Sequence, residues 1–357
     1  KTFIYSTDTG SIVESLVVGV TGALSVGVVN SLFLFTFPDT TVTAFLDNTT
    51  KLFDTQGSVS AESNPDDLLR DFIFEQTIYR MGKRTIESWY NTPELTPPIA
   101  RIEGQTFETG LAAINSVAKT DEAFYWLGDD YAVYRARAGS KERVSTYAIS
   151  NELSKLDVSG AYAHTFTLEG QNFYMLQIAG RPAFVLNESL GKKGWFELSS
   201  GIDDLQWQGS SVIDCYGKLW VADESNGKVY HLDLDTFTND GETLKRTRVT
   251  TSINGGLFGK KGQRIQMSRL QLIMETGTGL LSGQGENPRI MIEASYDGGR
   301  TWTSGDWAKV GRLGEHTLKV EWHSLKSFYD MMIRLTTSDP VNYTIYTSTI
   351  DVRLAGK

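Results

Sequence analysis

Residues Asp71–Trp89 have the sequence DFIFEQTIYRMGKRTIESW, and their pattern determines which class of fold we predict. Apolar and polar residues alternate along this stretch, and a period of two is typical of half-buried β-strands. A glycine between two such runs indicates a tight turn. The stretch therefore predicts a β-hairpin, with a short strand, a turn at Met81-Gly82-Lys83 and a second strand over Thr85–Trp89.

The same pattern returns three times further along the chain. The copies are DEAFYWLGDDYAVYRARAG from Asp121, HTFTLEGQNFYMLQIAG from His164 and SSVIDCYGKLWVADESNGKVYHLDL from Ser210. Their starts lie roughly 40 to 50 residues apart, which is the spacing of four-stranded propeller blades. We therefore predict an all-β chain with a β-propeller-like domain of repeated hairpins. A series of Greek-key sandwiches would give a similar spacing.

The last third of the chain predicts a second module. Glycine-rich, charged sequence over Thr236–Gly262 precedes longer strands, which we expect at Arg264–Glu275, Arg289–Ser295, His316–Trp322, Tyr329–Thr336 and Tyr343–Leu354. The last three alternate as in a sheet with one buried face. The predicted domains are a propeller-like domain over residues 1–243, with an N-terminus that we expect to be truncated, and a C-terminal β-sandwich over residues 244–357.

Helices are expected to be scarce. Two short ones are predicted, within Glu108–Ala118 and Ser145–Leu156. The uncharged stretch Leu16–Phe37 is long enough for a transmembrane helix. Its polar residues, three glycines and many β-branched residues favour two or three buried strands instead. No membrane contact is therefore expected.

The charge of the chain argues against groove binding of nucleic acid. Asp and Glu number 43 against 34 Lys and Arg, a net charge of −9. Groove binding depends on a cationic surplus that neutralises phosphates, whereas an acidic protein around DNA would repel the duplex and let it slide. The single Cys215 excludes an internal disulfide and suggests assembly in a reducing cytoplasm.

The sharpest local motif is SYDGGRTW, residues Ser295–Trp302, which fits the Asp-box pattern S-x-D-x-G-x-T-W. We interpret it as a structural turn in which the carboxylate accepts N–H bonds, the glycine takes a positive φ and the indole packs under the turn. The motif residues are Ser295, Asp297, Gly299, Thr301 and Trp302. Sialidases carry several such boxes and a pair of catalytic carboxylates, but this chain has one box and no carboxylate pair that its context marks as catalytic.

A second candidate surface is the loop GTGLLSGQGEN, residues Gly277–Asn287. Its glycines are Gly277, Gly279, Gly283 and Gly285. The loop could contact a neighbouring subunit or another partner, and a mobile hairpin loop would be equally rich in glycine.

Other motifs predict structure and not chemistry. The acidic pairs Asp66-Asp67, Asp129-Asp130 and Asp203-Asp204 lie beside Pro65, Gly128 and Gly201 and lack the spacing of a calcium loop, so solvated turns are expected. Residues 255–261 do not have the register of a phosphate-binding loop. His164, His231, His316 and His323 show no ligand spacing. No metal or cofactor is expected, and most Trp residues are expected in the core.

Several segments in order resemble the phage stabilisation family, the packaged-DNA stabilisation or tail-accessory proteins of short-tailed phages of enteric bacteria. They are SAESNPDDLLRDFIFEQTIYRMGKRTIESWYNT from Ser60, DEAFYWLGDDYAVYRA, AISNELSKL, RIMIEASYDGGRTW and MMIRLTTSDPVNYTI. The resemblance covers residues 55–357, and its specificity lies in the order and spacing of the segments. Residues 1–55 show little resemblance.

The resemblance implies a mechanical role in the tail of the virion, without enzymatic activity. In that family, six copies form a ring below the portal and the head-to-tail adaptor. The ring continues the DNA channel as a nozzle, carries the tail needle and has tailspikes docked around it. We therefore expect a structural subunit that retains packaged DNA, with DNA passing through the channel without sequence-specific binding.

Two other classes of function are possible from the residues alone. One is a sialidase-like or other glycan-cleaving virion enzyme, and the other is a glycan-binding propeller that recognises the host surface. Turnover of a sialoside would favour the enzyme, and a native mass near six subunits would favour the ring.

Overall fold

The structure, a computed structural model, describes residues 2–6, 10–15, 23–30, 32–37, 42–47, 53–60, 66–92, 98–223 and 225–355. The chain divides into two compact units. The first runs to Leu198 and includes Gly209–Val229, and the second consists of Ser199–Gln208 and Tyr230–Lys357. The domain limit predicted at residue 243 stays a prediction.

Regular structure is predominantly β. The strands up to residue 231 are β1 (Thr2–Ser6), β2 (Ser11–Ser15), β3 (Ser25–Val29), β4 (Leu32–Thr36), β5 (Val42–Asp47), β6 (Phe53–Ser60), β7 (Leu68–Phe74), β8 (Thr77–Gly82), β9 (Ile86–Asn91), β10 (Ile99–Phe107), β11 (Ala118–Lys119), β12 (Phe124–Leu127), β13 (Val133–Arg137), β14 (Ser140–Arg143), β15 (Tyr162–Leu168), β16 (Gln171–Gln177), β17 (Ala183–Asn187), β18 (Trp195–Ser200), β19 (Leu205–Gln206), β20 (Gly209–Cys215), β21 (Lys218–Asp223) and β22 (Val229–His231).

The remaining strands are β23 (Thr238–Asn239), β24 (Glu242–Thr243), β25 (Arg246–Val249), β26 (Ile253–Asn254), β27 (Ile265–Met274), β28 (Arg289–Ser295), β29 (Asp306–Lys309), β30 (Val320–His323), β31 (Ser327–Phe328), β32 (Asp330–Thr337) and β33 (Ile345–Leu354). The helical segments are α1 (Tyr147–Leu153) and two 3₁₀ helices, Glu188–Lys193 and Gly255–Phe258.

Up to β22, consecutive strands form small antiparallel sheets, in the orders β1-β2, β3-β4-β5-β6, β7-β8-β9-β10, β11-β12-β13-β14, β15-β16-β17-β18-β19 and β20-β21-β22. First strands of neighbouring sheets lie side by side. Arg70 Nη1 on β7 donates to Ile114 O before β11, and Lys119 Nζ on β11 approaches Ile73 O at 3.5 Å. The two strands therefore run in the same direction, as the blades of a propeller require. The predicted propeller-like fold of repeated hairpins is confirmed.

Aromatic side chains fill the space between the sheets. Phe124 on β12 contacts Tyr79 on β8, with ring centroids 4.5 Å apart, and Trp126 stacks on Phe107 at 5.9 Å. Trp126 is fully buried. Large rings stabilise such interfaces because each removes a large apolar area from water.

One predicted helix is confirmed and the other is wrong. Helix α1 lies within Ser145–Leu156, where the Thr146 hydroxyl accepts from Ile149 N. Residues 108–118 form no helix, because their backbone bonds to distant strands. Leu111 N donates to Gly82 O, and Ala112 N donates to Leu127 O.

The turn at the end of β7 was not predicted from the sequence. Glu75 and Gln76 both have positive φ, 47° and 66°, without a glycine between the strands. The predicted turn after Met81 is present, so Asp71–Trp89 forms parts of three strands and not two. Within Leu16–Phe37, the structure has β3 and β4, while residues 16–22 and 31 lie outside the described residues. Among the residues described, no helix is long and apolar enough to span a membrane.

The C-terminal module is a sandwich of two sheets. One has the order β25-β32-β28-β29, with β26 also on β32, and the other has β27 at its centre, paired with β30, β31 and β33. Inward side chains from both sheets, including those of Met267, Ile292 and Trp322, form one core. The predicted β-sandwich is confirmed. The strand expected at His316–Trp322 is shorter, Val320–His323, because residues 312–319 form an exposed turn.

Candidate interaction surfaces

The Asp-box turn lies after β28 and is organised by one carboxylate. Asp297 accepts hydrogen bonds from Arg300 N and Thr301 N, at 2.9 Å each, and from the Thr301 hydroxyl at 2.6 Å. The Ser295 hydroxyl donates to the same carboxylate at 2.8 Å and accepts from Gly299 N. These bonds, led by those from Thr301, hold the pKa of Asp297 well below its usual range. All the oxygens of this carboxylate serve the turn.

The other motif residues fix the shape of the turn. Gly299 has a φ of 91°, a value that favours glycine. Trp302 is half-buried, and the guanidinium of Arg334 lies 4.3 Å from the centre of its ring. Arg334 in turn forms two hydrogen bonds to Glu293, at 2.6 and 2.8 Å. The motif thus connects the turn to the outer face of the sheet.

The glycine loop after β27 has a defined backbone. Gly277, Gly283 and Gly285 have positive φ, and a Cβ on Gly279 would lie 2.7 Å from Glu286 O. Leu280 N donates to Gly285 O at 2.8 Å, which closes the loop. Its glycines are therefore required by close packing and turn geometry.

The same loop exposes apolar surface. Leu281 is 86% exposed and Leu280 is 41% exposed. An open groove lies beside Leu280, and its other lining residues include Asp235, Phe237, Val341 and Asn342.

The sandwich end that carries this loop is mostly acidic, and we call it the acidic end. Its carboxylates are Asp233, Asp235, Asp240, Glu242, Glu275, Glu286, Glu315 and Asp339, and its cations are Arg246, Arg289, Lys309, Arg312 and Lys319. Two hydrogen bonds place neighbouring segments at this end of the sandwich. The Thr243 hydroxyl donates to Gln284 in the glycine loop, and Asn342 Nδ2 donates to Glu275.

The opposite end of the sandwich carries the Asp-box turn, and we call it the basic end. Its cations are Lys260, Lys261, Arg264, Arg300, Lys326 and Arg353, all exposed, and its carboxylates are Asp297, Asp306 and Asp330. Lys260 and Lys261 follow the 3₁₀ helix Gly255–Phe258. A hydrogen bond from Lys260 N to Gly255 O holds this segment in place. Sequence analysis missed this surface because the acidic total hides it. A separate charge count for each predicted domain would have indicated this surface. Residues 244–357 hold 16 Lys and Arg against 10 Asp and Glu, which gives a net charge of +6.

The acidic pairs singled out in the sequence support turns and ion pairs. Asp66 Oδ2 accepts from Arg84 N and Thr85 N, and Asp129 accepts from Gly110 N. Asp204 pairs with Lys245. Pro65, beside the first pair, lies outside the described residues. In the described part of the chain, no three His, Cys, Asp or Glu residues are grouped so that they could hold a metal ion.

His164 has a structural contact in the first unit. Its Nε2 lies 2.6 Å from Ser210 O, which links β15 to β20. Burial lowers the pKa of this imidazole.

A buried ionic cluster lies in the sheet β7-β8-β9-β10. Asp71, Arg80 and Glu87 are opposite one another on β7, β8 and β9, and each is at most 2% exposed. Arg80 Nε lies 3.4 Å from Asp71 Oδ1, and its guanidinium lies over Trp89. The Thr36 hydroxyl on β4 donates to Asp71 at 2.9 Å. The cluster therefore joins two neighbouring sheets.

A small cavity lies beside Tyr125 in the first unit. It measures about 40 Å³, and Arg135, Glu142 and Glu188 line it. Burial, followed by the effect of Glu188, raises the pKa of the Tyr125 hydroxyl. The volume suffices for a water molecule and not for a sugar substrate.

Two protein-family models match the chain, one in each part. The family described as "Bacteriophage P22 Gp10, beta-propeller" matches residues 14–237, and that described as "Bacteriophage P22 Gp10, beta-sandwich" matches residues 251–353. The first match includes residues 14–55, for which motifs gave little resemblance. No curated protein sequence matches the chain significantly.

Similarity to solved structures is low. Hsv2 of Kluyveromyces lactis is 11% identical with a TM-score of 0.37, covering 62% of this chain and 64% of that chain. BamB from Moraxella catarrhalis is 12% identical with a TM-score of 0.34, covering 59% of this chain and 70% of that chain. The chain spans 57% of the length of a second Hsv2 that it matches.

Proposed function

Because the chain belongs to the bacteriophage P22 Gp10 family and is therefore a structural protein of the phage tail, we propose that it closes the portal channel and retains the packaged DNA. The observation that carries this proposal is the pair of family matches, which cover residues 14–237 and 251–353 in the order propeller, then sandwich. The proposed domains are residues 1–243 and 244–357.

The proposed assembly is a ring of six copies below the head-to-tail adaptor. The ring continues the channel as a nozzle, carries the tail needle and supports the tailspikes. Assembly takes place in the bacterial cytoplasm, and the presence of only one cysteine, Cys215, is compatible with reducing conditions.

The proposed role requires no catalysis. The Asp297 carboxylate is saturated by the turn that it organises. The open groove beside Leu280 is lined by one described carboxylate, Asp235, whereas a glycosidase needs two. These observations favour a structural subunit over a glycan-cleaving enzyme.

The net charge of −9 suits a DNA conduit. Duplex DNA carries about one negative charge per 1.7 Å of its axis. A channel that does not bind phosphates tightly lets the duplex move when the tail opens. DNA is therefore proposed to pass through without sequence-specific binding.

The experiment that tests the function measures DNA retention in particles assembled without this protein. We expect heads to fill and then lose their genome, so that the DNA becomes accessible to nuclease. Purified protein added after packaging is expected to restore retention. A matched control adds the Tyr147→Ala variant, which alters a side chain 82% exposed in the first unit and is expected to restore retention fully.

Particles that keep their genome without the protein but fail to adsorb to cells would contradict the proposal. That result would assign the protein to recognition or processing of the host surface.

A further inference from the structure

The sandwich has two ends of opposite charge, and from them we infer that the basic end of one copy docks on the acidic end of a second copy, head to tail. This inference rests on the proposed function, because it names the surfaces that join neighbouring subunits of the ring.

The two ends of one sandwich are too far apart to neutralise each other. Strand β27 connects them with 10 residues, Ile265–Met274, and a strand rises about 3.3 Å per residue, which places the ends about 30 Å apart. Screening by physiological salt acts over about 8 Å. Neither end therefore neutralises the other within one sandwich, and each charged surface is available to a partner from outside.

The basic end offers cations that form no ion pair among the described residues, although Arg264 donates to Ser327 O and Arg353 donates to Gln266 Oε1. Among the described residues, no ion pair involves Lys260, Lys261, Arg264, Arg300, Lys326 or Arg353. Two of the three carboxylates at this end are engaged by hydroxyls: Asp297 by Thr301, and Asp330 by Ser252. The surplus of positive charge is therefore available to an acidic surface.

Both ends also expose apolar side chains. Leu257 and Tyr329 at the basic end are each 66% exposed, while Leu281 and Leu313 at the acidic end are 86% and 59% exposed. Contact between the ends would remove these side chains from water, which stabilises protein interfaces.

A second copy accounts for these features better than DNA does. Phosphates would neutralise the basic end, but they would leave the acidic end and the exposed leucines without a partner. A head-to-tail contact uses two different patches, and heterologous contacts of this kind generate closed rings when the rotation closes. The glycine loop Gly277–Asn287 is then a subunit contact.

Zero-length crosslinking tests the contact directly. A carbodiimide joins lysine amines to carboxylates only where they touch, and mass spectrometry identifies the pairs. In tails on assembled particles, we expect Lys260, Lys261 or Lys326 to crosslink with Asp235, Glu275 or Glu286. Because these groups lie about 30 Å apart in one sandwich, such crosslinks must join two copies.

Charge reversal tests which ends are used. The full-length variant Lys260→Glu/Lys261→Glu should self-associate at least about tenfold more weakly than the wild type, since like charges would meet at the contact. The matched control is Lys192→Glu/Lys193→Glu, which makes the same change in an exposed segment of the first unit and should assemble normally. Circular dichroism checks that both variants fold.

A charge swap keeps the test specific. Asp235→Lys/Glu286→Lys should also fail to assemble alone, because its two ends are both basic. Mixed with Lys260→Glu/Lys261→Glu, it should restore assembly, since every contact then joins opposite charges.

Two results would overturn the inference. One is tails whose subunits crosslink only through other surfaces, and the other is normal assembly by Lys260→Glu/Lys261→Glu. If that variant assembles normally and also loses affinity for duplex DNA, the basic end is a DNA contact. The retention experiment separates the failure of this inference from the failure of the proposed function. If particles still need the protein to retain DNA, the proposed function stands. If particles retain DNA without the protein, the proposed function is wrong.

Discussion

At the scale of single residues, charge and hydrogen bonding decide how the hairpins hold their shape. Arg80 is buried between carboxylates on both neighbouring strands, and Asp297 collects four donors at a solvent-exposed turn. A buried charge such as that of Arg80 is tolerated only when its partners are in place.

Removal of the Arg80 guanidinium should be strongly destabilising. The change Arg80→Met leaves the buried carboxylates of Asp71 and Glu87 without this cation, and breaking a buried pair costs about 3–5 kcal/mol. Urea denaturation followed by tryptophan fluorescence measures the free energy of unfolding. The control Arg84→Met removes an exposed cation four residues on and should change stability by less than about 0.5 kcal/mol. Equal effects of the two changes would mean that the buried cluster contributes nothing.

Asp297 should stabilise the sandwich in a pH-dependent way. Its pKa is depressed in the folded chain, so its contribution is complete above the pKa of an unfolded aspartate, about 3.9, and is lost as pH falls towards the folded value. We expect Asp297→Asn to lower the melting temperature at pH 7, with a difference from wild type that shrinks below about pH 3.9. Thermal melts from pH 7 to 2 measure this.

The control for that prediction is Asp306→Asn in the same region. The Asp306 side chain makes no hydrogen bond among the described residues, so its replacement should leave the melting curve unchanged. A constant difference for Asp297→Asn across the pH range would contradict the argument.

At the scale of elements, neighbouring sheets are joined by irregular segments as well as by strands. Residues 108–118 have enough apolar spacing for a helix, yet they bond to the ends of β8 and β12. A Cβ on Gly110 would lie 2.1 Å from the carbonyl carbon of Lys83. This close approach explains why the segment cannot form a helix in place.

The change Gly110→Ala should therefore force the segment away from the β8–β9 turn. Overpacking of this kind costs about 1–3 kcal/mol. The control is Gly160→Ala, where a Cβ meets open space and φ is not positive, so that stability should change by less than about 0.5 kcal/mol. Urea denaturation of both variants compares the two sites, and a neutral Gly110→Ala would contradict the packing argument.

The sequence predicted most elements because their signals are local. Alternation and glycine turns located the hairpins at Gly128, Gly170 and Gly217, each of which is present. The turn at Glu75-Gln76 gave no signal, because neither residue is a typical carrier of positive φ. Its conformation is set by the pairing of β7 with β8.

The candidate surfaces were only partly predictable, because some of them combine residues that are distant in the sequence. The Asp-box turn could be identified because its residues are contiguous. The basic end combines Lys260, Lys326 and Arg353, which only the pairing of β31 and β33 with β27 brings to one place. Arg80 likewise looks like an ordinary strand cation until its neighbouring strands are known.

At the scale of the whole molecule, the propeller-like domain and the sandwich contribute different properties. The chain carries −9 overall, but residues 1–243 hold 18 Lys and Arg against 33 Asp and Glu, while residues 244–357 carry +6. An acidic first domain suits a conduit that DNA must leave, and the polarised sandwich suits a ring built by contacts between copies.

Salt should weaken the association of subunits. If opposite charges join the two ends of the sandwich, assembly of the purified chain should fall as salt rises from about 0.1 to 1 M, because the screening length shortens from about 10 to 3 Å. Sedimentation velocity measures the fraction assembled. Association that strengthens with salt would indicate a contact dominated by apolar surface.

The most direct test of the central claim is the position and number of copies in the virion, measured by electron cryomicroscopy of the tail. We predict six copies in a ring below the portal and adaptor, with DNA on the axis and the needle attached to the ring. Density for this chain in peripheral fibres or spikes, away from the channel, would contradict the claim that it closes the channel.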